Sequence, residues 1–464
     1  MVRLFRHYVP HTFLLLGLSE AAILMLSIYL GASLRSGGGG GALDDFQPLM
    51  PKALLFAFVM VSVMTAVGLY KANLRDGMVG MLLRIGISIL LGVGVMSLVF
   101  YVFPSLFLGR GAFGLSFAVA LTGIILARIT FFKIVDQSAL QRRILVLGSG
   151  KRAGQISRQL RRKVDRRGFA IMGYVHIAGE HSEIDAQHVL HLDVPLLEFC
   201  DQHQIDEIVV AVEDRRKGFP VHELLDCKMS GIEVVDMLTF FERQAGKIRL
   251  DLVHPSWLIF SDGFLTNSFR EYSKRIFDVT ASVLILVLTW PIMILAAIAI
   301  LMESRGCGPV FYRQVRVGQN WELIEVLKFR SMCVDAEKDG PQWAGKNDSR
   351  ITRVGAFIRK TRIDELPQLL GVLKGDMSFV GPRPERPVFV EQLSRTIPYY
   401  AERHRVKPGI TGWAQIRYAY GSSEEDAIEK LQYDLYYVKN HSLFLDLMIL
   451  FQTVEVILWG RGAR

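Results

Sequence analysis

Four long apolar runs near the amino terminus constrain this chain more than any other feature of its sequence. They extend over about residues 12–34, 53–70, 78–103 and 106–132. Each run approaches the ~20 apolar residues that a helix needs to cross the hydrocarbon core of a bilayer. The sequence therefore predicts a bundle of four transmembrane helices within residues 1–138, which serves as a membrane anchor.

The charges around these runs indicate their orientation. The first connecting loop carries a glycine run and Asp44-Asp45, whereas the other flanks carry basic residues: Arg3, Arg6, Lys71, Arg75, Lys133, Arg142 and Arg143. Loops rich in Lys and Arg remain in the cytoplasm, so we expect both ends of the bundle, and everything after residue 140, on that side. We expect Glu20 and Arg128 to face the bundle interior or to snorkel, with a transport role as the alternative.

Composition narrows the class of protein. Hydrophobic residues make up 51% and charged residues 21% of the 464 residues, against about 25% charged residues in soluble domains, which excludes a disordered chain. The four cysteines lie far apart without a CxxC pair, which argues against a disulfide framework or zinc site and predicts reduced thiols. The net charge of +9 is compatible with nucleic acid, anionic lipid or phosphorylated substrates.

Residues 139–245 alternate short apolar runs with helix-like stretches. Strands are predicted at about 143–147, 173–176, 205–212 and 232–235, and helices at about 151–163 and 196–203. This alternation predicts a parallel α/β sheet with Rossmann-like winding.

The glycines of this module are weak indicators of a nucleotide site. Gly148, Gly150 and Gly154 have the spacing GxGxxxG, and the second strand ends in His176, where a ribose-binding acid is expected. We favour a structural or oligomerising domain with an empty crevice, which invites a homodimer. Binding of a dinucleotide or of another nucleotide is the alternative.

A further apolar run covers residues 276–302, after a linker over 246–272. Pro291 lies within it, where proline removes a backbone hydrogen bond and kinks a helix. Basic residues flank both ends of the run: Lys274, Arg275, Arg305, Arg313 and Arg316. Because such flanks stay in the cytoplasm, we predict a re-entrant membrane helix over 273–304 that breaks near Trp290-Pro291 and returns. An ordinary fifth span is the alternative.

Two adjacent carboxylates mark the arginine-rich stretch that follows. Asp364 is a candidate N-cap, with Glu365 and Pro367 in the first turn of a helix that ends at Gly375. The predicted buried stripe is Leu366, Leu369, Leu370 and Leu373. Two carboxylates can hold Mg²⁺ against a diphosphate, and one can act as a nucleophile. If such a pair of carboxylates stood alone in a sequence, a structural role in helix capping and surface salt bridges would be the alternative.

Basic residues accompany the carboxylate pair. Arg359, Lys360 and Arg362 precede it, and the stiff turn Gly381-Pro-Arg-Pro384 follows and fixes Arg383. Upstream, two strand-like pieces carry Arg313, Arg316, Lys328 and Arg330. A fixed guanidinium suits phosphate, so these residues are expected to form a cationic cup around the carboxylates. Nucleic acid is excluded as a partner, because the basic residues converge on carboxylates beside a membrane element.

These motifs resemble a known family. Residues 309–332, the RIDELPQL helix, GDMSFVGPRPE and KPGITGWAQ (407–415) are similar to bacterial polyprenyl-phosphate sugar-1-phosphate transferases of exopolysaccharide and O-antigen assembly. The four spans and Rossmann-like module match the long form. The resemblance implies an α+β catalytic domain over 305–464 that moves a sugar phosphate from a UDP-sugar to undecaprenyl phosphate and releases UMP. It also implies a multi-pass protein of the bacterial inner membrane, with this domain in the cytoplasm.

By the family pattern, Asp364 is the nucleophile and Glu365 binds Mg²⁺. Lys328, Arg330 and Arg383 hold phosphates, with Arg316 and Arg362 as further basic contacts. The sequence departs from the pattern at three places, which bear on loop shape and sugar choice: Trp321 in place of a common glycine, Gly371 in place of the usual asparagine, and Ala419 where proline is frequent.

Three alternatives stay open. The apolar stretch 443–459 contains Asp446 and Glu455 and is predicted as a helix at the membrane interface, with a packed core helix as the alternative. Tyr433, Tyr436 and Tyr437 precede it and are expected either at the level of the lipid headgroups or in the core. A membrane-bound nucleotide sensor or assembly scaffold is a rival function. A glycosyltransferase that extends a lipid-linked sugar and releases UDP is a second rival function.

Overall fold

The computed structural model describes residues 2–4, 7–9, 11–35, 48–70, 77–135, 141–159, 169–177, 180–213, 218–261, 263–264, 268–336, 348–418, 421 and 423–458. The chain divides into two compact units, chiefly Val9–Ala245 and Gly246–Arg464. Two three-residue strands, β1 (Val2–Leu4) and β2 (His7–Val9), pair at the amino terminus.

Four long apolar helices follow, as the sequence predicts. They are α1 (His11–Arg35), α2 (Leu49–Ala66), α3 (Gly77–Val102) and α4 (Arg110–Val135), and each is long and apolar enough to cross a membrane. Leu24, Phe56, Met96 and Phe117 contribute one residue from each helix to a common hydrophobic core. The glycine run, Asp44-Asp45, Lys71 and Arg75 lie outside the described residues.

Two oppositely charged residues of the apolar helices, Glu20 and Arg128, face inward. Arg128 Nε lies 2.6 Å from Glu20 Oε1, and both side chains are fully buried. Arg128 also donates to Glu20 Oε2 at 3.0 Å and to the carbonyl of Leu69 at 2.9 Å, and Tyr70 donates its hydroxyl proton to Glu20. The expectation of an interior-facing pair is confirmed.

A five-stranded parallel sheet forms the rest of the first unit. Its strands are β3 (Arg142–Leu147), β4 (Phe169–Val175), β5 (Val189–Leu190), β6 (Glu207–Val210) and β7 (Glu233–Asp236), in the order β5-β4-β3-β6-β7. Helices α5 (Lys151–Gln159), α6 (Leu196–His203), α7 (Val221–Met229) and α8 (Met237–Ala245) accompany it. The predicted parallel α/β sheet is confirmed. The sequence did not indicate β5, and the predicted end of α5 at residue 163 lies outside the described residues.

The crevice at the start of α5 is filled by the chain's own carboxylates. The amide of Ser149 donates to Glu180 Oε2 at 3.1 Å, and that of Glu213 donates to Glu180 Oε1 at 3.0 Å. The amide of Lys151 donates to Glu213 Oε1 at 2.5 Å. In a dinucleotide-binding sheet, amides at this turn receive the pyrophosphate. Here Glu180 and Glu213 accept those hydrogen bonds.

The second unit begins with α9 (Pro255–Phe260) and the long helix α10 (Ser268–Glu303). The backbone of α10 remains helical through Pro291, which corrects the predicted break near Trp290-Pro291: a proline inside a helix removes one hydrogen bond and can leave the helix continuous. Leu284, Val287, Leu288 and Trp290 are exposed in its middle. Near its start, Arg275 donates to the carbonyls of Val372 and Leu373. Near its end, Glu303 accepts hydrogen bonds from the amides of Arg353 and Val354. Both ends of α10 are therefore attached to the elements that follow it.

Among the residues that the structure describes, four strands and six α-helices follow α10. They are β8 (Phe311–Val317), β9 (Leu323–Phe329), α11 (Arg353–Lys360), α12 (Gln368–Lys374), β10 (Ser378–Val380), α13 (Pro387–Thr396), β11 (Gly409–Thr411), α14 (Trp413–Arg417), α15 (Glu424–Asn440) and α16 (Leu443–Leu458). Strands β8 and β9 form an antiparallel hairpin, and β10 pairs in parallel with β11. Tyr436 and Tyr437 are buried in the core of this unit.

Trp321 and Gly371 are two of the positions at which the sequence departs from the family pattern that it resembles. Trp321 lies in the turn between β8 and β9 with a φ of 69°, a left-handed conformation that glycine adopts most readily. At Gly371, a Cβ would meet the sulfur of Met377 at 3.6 Å, which is ordinary contact, so this position has room for a side chain. Ala419 and Tyr420 lie outside the described residues.

Candidate active site

The carboxylate pair lies in a tight turn before α12. Ile363–Glu365 forms a 3₁₀ turn, and α12 begins only after Pro367. The amides of Leu366, Leu369 and Leu370 each donate to the carbonyl three residues earlier, so this stretch has the hydrogen bonds of a 3₁₀ helix. Asp364 is therefore inside a 3₁₀ turn, which corrects its prediction as a helix N-cap. Gly375 ends the helix, as predicted, with a φ of 102°.

The turn is held in place from both sides. Ile363 packs against a core formed by Ala296 and Ile300 of α10 with Phe329 of β9. Arg362, directly before it, adopts a φ of 61°, a left-handed conformation that costs about 1–2 kcal/mol for a residue other than glycine. The surrounding packing therefore maintains a backbone conformation that the local sequence disfavours.

Three cations surround one oxygen of Glu365. Arg383 donates from both terminal nitrogens to Oε1, at 3.2 Å each. Lys328 Nζ lies 3.4 Å and an Arg362 nitrogen 3.5 Å from the same oxygen. Burial acts to raise the pKa of Glu365, but Arg383, Lys328 and Arg362 together hold that pKa well below its usual range. Glu365 is therefore ionised at any working pH.

Asp364 has a different environment. Its Oδ1 is buried without a hydrogen-bond partner. Burial, followed by the charge of Glu365, raises the pKa of Asp364 to about 6, although Lys328 and Arg362 act in the opposite direction. Two neighbouring carboxylates with separated pKa values are typical of sites in which each has its own chemical role.

The predicted basic residues do not all join this cluster. Lys328, Arg362 and Arg383 contact Glu365. Arg316 instead donates to the carbonyl of Pro384 at 3.2 Å and lies 3.3 Å from Glu385 Oε2. Arg330, just beyond the end of β9, donates to the carbonyl of Cys307 at 3.1 Å. Arg316 therefore supports the turn that carries Arg383.

A buried arginine that the sequence did not indicate, Arg403, lies beside Arg383. Arg403, in the 3₁₀ segment Tyr400–Arg405, donates to the carbonyl of Arg383 at 2.9 Å and to the Tyr400 hydroxyl at 2.6 Å. It also pairs with Asp434 of α15 at 2.8 Å. Local sequence carries no signal for this arrangement, because the partners come from three separate segments.

Asp364 and Glu365 are the residues that could hold a magnesium ion together with phosphates. Mg²⁺ is usually held by one or two carboxylates together with phosphates rather than by an all-protein cage. Asp364 Oδ1 is a buried oxygen without a partner, and Glu365 is adjacent. Among the residues that the structure describes, no group of three or more His, Cys, Asp or Glu side chains is placed to hold a metal, so the phosphates would complete such a site.

Comparison with known proteins gives a consistent family. Residues 269–460 match the bacterial sugar transferase family. A UDP-N-acetylgalactosamine-undecaprenyl-phosphate N-acetylgalactosaminephosphotransferase of Aeromonas hydrophila is 44% identical over 241 residues, 52% of this chain and 56% of that protein. A UDP-glucose:undecaprenyl-phosphate glucose-1-phosphate transferase of Klebsiella pneumoniae is 41% identical over 257 residues, 54% of each chain.

The similarity also extends before the matched domain. A UDP-glucose:undecaprenyl-phosphate glucose-1-phosphate transferase of Xanthomonas campestris pv. campestris is 31% identical over 367 residues, 76% of this chain and 75% of that protein. The chain spans little more than half the length of the Aeromonas and Klebsiella relatives. The resemblance inferred from the motifs is nevertheless confirmed, because both the matched domain and the long alignment agree with it. This chain belongs to the bacterial sugar transferase family.

Proposed function

We propose that the protein transfers a sugar-1-phosphate from a UDP-sugar to undecaprenyl phosphate and releases UMP, as the initiating step of exopolysaccharide or O-antigen assembly. The observation that carries the proposal is a buried carboxylate of raised pKa, Asp364, next to a carboxylate surrounded by three cations. The names of the relatives specify UDP-sugars and undecaprenyl phosphate. They differ in sugar, N-acetylgalactosamine in one and glucose in the other, so the proposal extends only to the class of UDP-sugars.

In the first step, an oxygen of ionised Asp364 forms a bond to the phosphorus that carries the sugar. The bond between that phosphorus and the bridging oxygen of UMP breaks, and UMP leaves with the electron pair. The sugar phosphate remains on Asp364 as an acyl phosphate, which divides one difficult displacement into two easier ones. A pKa of about 6 leaves most of the carboxylate ionised at neutral pH.

In the second step, a phosphate oxygen of undecaprenyl phosphate forms a bond to the same phosphorus. The bond to Asp364 breaks, the carboxylate is regenerated, and the product is a lipid-linked sugar diphosphate. Lys328, Arg362 and Arg383 are available to balance the charge of the phosphates in both steps, because charge-assisted hydrogen bonds to phosphate are strong. Asp364 and Glu365 would hold Mg²⁺ together with the diphosphate, where the ion would withdraw charge from the phosphate oxygens.

The position of α10 supports a re-entrant path through the membrane. Its exposed middle is apolar, with Val287, Leu288 and Leu295 all more than 60% exposed. Both of its ends bind the same domain, through Arg275 at the start and Glu303 at the end. Because both ends of α10 bind one domain, they lie on one side of the membrane. Helix α10 would therefore enter the bilayer, bend at Pro291 and return to the same side.

The setting that follows is the bacterial inner membrane, with α1–α4 spanning it and the catalytic domain in the cytoplasm, where UDP-sugars are available. The basic flanks of the apolar helices support this orientation. Helix α16 would lie at the membrane interface: Leu443, Leu447 and Val454 are exposed, whereas Asp446 and Glu455 are buried. A homodimer formed through the α/β module remains a prediction.

The nucleotide-sensor alternative is weakened by the filled crevice of the α/β module, whose Rossmann-like strand order we interpret as structural. Glu180 and Glu213 already accept the hydrogen bonds of the backbone amides that a pyrophosphate would need. NAD⁺ should therefore show no saturable binding to the purified protein in equilibrium dialysis. Saturable binding that is lost in Gly150→Val would instead favour a sensor.

The proposed function is tested by incubating the purified protein with Mg²⁺, undecaprenyl phosphate and a panel of UDP-sugars, and by identifying the nucleotide released. UMP is expected, and release of UDP would identify a glycosyltransferase instead. Asp364→Asn should abolish UMP release, as should a chelator. Asp376→Asn is the matched control, because Asp376 pairs with Lys374 away from the cluster. Undiminished release by Asp364→Asn would exclude Asp364 as the nucleophile.

A further inference from the structure

The turn that carries Arg383 is bound at four consecutive carbonyls. The carbonyls of Pro382 and Glu385 accept hydrogen bonds from backbone amides, those of Gly409 at 2.9 Å and Val317 at 3.0 Å. The two carbonyls between them accept from arginine side chains, Arg383 from Arg403 and Pro384 from Arg316. Of these four hydrogen bonds, only the one that Arg403 donates is accepted by Arg383, the residue whose side chain contacts Glu365.

Arg403 is itself held rigidly. Its side chain is buried, it pairs with Asp434, and its guanidinium lies over the ring of Tyr400, 5.1 Å from the centroid. Burial disfavours its charged form, but Tyr400 and Asp434 more than compensate and raise the pKa of Arg403 above its usual value. A fixed, permanently charged donor thus binds the backbone from which Arg383 projects.

We propose that Arg403 is a positioning residue for transfer, which acts through Arg383 by fixing that residue's carbonyl. This inference rests on the proposed function. A guanidinium can donate to the Arg383 carbonyl, Asp434 and Tyr400 at once, because its donors form a planar fork. A lysine at this position would keep the positive charge that pairs with Asp434. Its single compact ammonium would not also reach the Arg383 carbonyl, so the hydrogen bond that holds the Arg383 backbone would be lost.

The experiment is a double-mutant cycle with Arg403→Lys and Arg383→Gln in the full-length protein, read out as kcat/KM for UMP release and as Kd for UDP. We expect Arg403→Lys alone to lower kcat/KM by about 10-fold to 100-fold, since small displacements of a binding group have effects of this size. In the Arg383→Gln background it should have little further effect, because residues that act through one another are not additive.

A purely structural role gives a different result. Arg403→Lys would then lower kcat/KM by the same factor in both backgrounds, which would overturn the proposal. Arg249→Lys is the matched control, because Arg249 is a buried arginine that pairs with Asp251, and its effect should be the same in both backgrounds. If Arg403→Lys does not fold, Asp434→Asn takes its place in the cycle, because Asp434 orients Arg403 and the same non-additivity is expected.

The two readouts separate this inference from the proposed function. Absence of UMP release by the unaltered protein contradicts the proposed function alone. The UDP affinities still decide the positioning role: a loss of affinity in Arg403→Lys that disappears in the Arg383→Gln background supports it, and an equal loss in both backgrounds excludes it.

Discussion

Arg383 donates from both terminal nitrogens of its guanidinium to a single oxygen of Glu365, at 3.2 Å in each case. Lys328 and Arg362 approach the same oxygen. The adjacent Asp364, buried and with a pKa raised to about 6, is mostly ionised at neutral pH and takes up a proton just below it. The cations thus separate two neighbouring carboxylates into a permanent anion and a group that titrates just below neutral pH.

Replacement of Glu365 by Gln should lower kcat/KM by about 100-fold, because Arg383 and Lys328 lose the anion that orients them. The variant should also lower the pKa of Asp364, since the charge of Glu365 contributes to raising it. The acidic limb of the pH profile for UMP release should therefore move to lower pH. Glu325→Gln, at an exposed position of β9 that pairs with Arg313, is the control and should leave the profile unchanged.

The pH dependence of kcat/KM should show an acidic limb with an apparent pKa near 6, the value to which burial and Glu365 raise Asp364. Only the ionised carboxylate attacks phosphorus, so activity should fall about tenfold per pH unit below the limb. Because the two carboxylates interact, the apparent value belongs to the pair. An activity that is constant between pH 4 and pH 8 would contradict ionised Asp364 as the nucleophile.

Asp364→Asn should raise thermal stability while it abolishes activity. The folded-state pKa of Asp364 lies above its value of 3.8 in the unfolded chain, so its contribution to stability is favourable at low pH and is lost as the pH rises through 6. At pH 8 the ionised group therefore destabilises the fold, by about 1–3 kcal/mol. The increase in unfolding temperature should be clear at pH 8 and should shrink towards pH 4. An unchanged or lowered unfolding temperature at pH 8 would show that the carboxylate is not strained by burial.

Arg128→Met should strongly destabilise the membrane helices, because it leaves the fully buried Glu20 without its partner. Removing one partner of a buried ion pair costs about 3–5 kcal/mol. The yield of folded protein in membranes should fall, and Glu20→Gln combined with Arg128→Met should restore much of it. Arg110→Met, at an exposed position in α4, should have little effect. If the double variant is no better than the single one, the pair does not stabilise these helices through its charges.

Several predictions from the sequence succeeded because they depend on local properties. The membrane helices follow from hydrophobicity summed over about 20 residues, and the observed bounds of α1–α4 agree with the apolar runs to within a few residues. The parallel sheet follows from alternating strands and helices.

The predicted buried stripe of the carboxylate helix was partly wrong. Leu369 is buried, but Leu370 is 50% exposed and Val372 takes its place in the core. The stripe assumed one α-helix from Asp364, whereas the chain forms a 3₁₀ turn up to Glu365 and an α-helix from Gln368. A 3₁₀ turn has three residues per turn rather than 3.6, so the side chains after it point in different directions.

The order of residues along the chain was sufficient to assign the family and to select Asp364, Glu365 and Arg383 as candidate site residues, because these residues lie in compact motifs. Tertiary structure alone separated the two carboxylates in charge, bound Arg403 to the Arg383 carbonyl and placed Glu180 in the crevice of the α/β module. The reason is physical: a side chain's type is local, but its burial and its charged neighbours are supplied by segments that are distant in sequence. Those neighbours, rather than the motifs, determine which carboxylate is always ionised and which one titrates near pH 6.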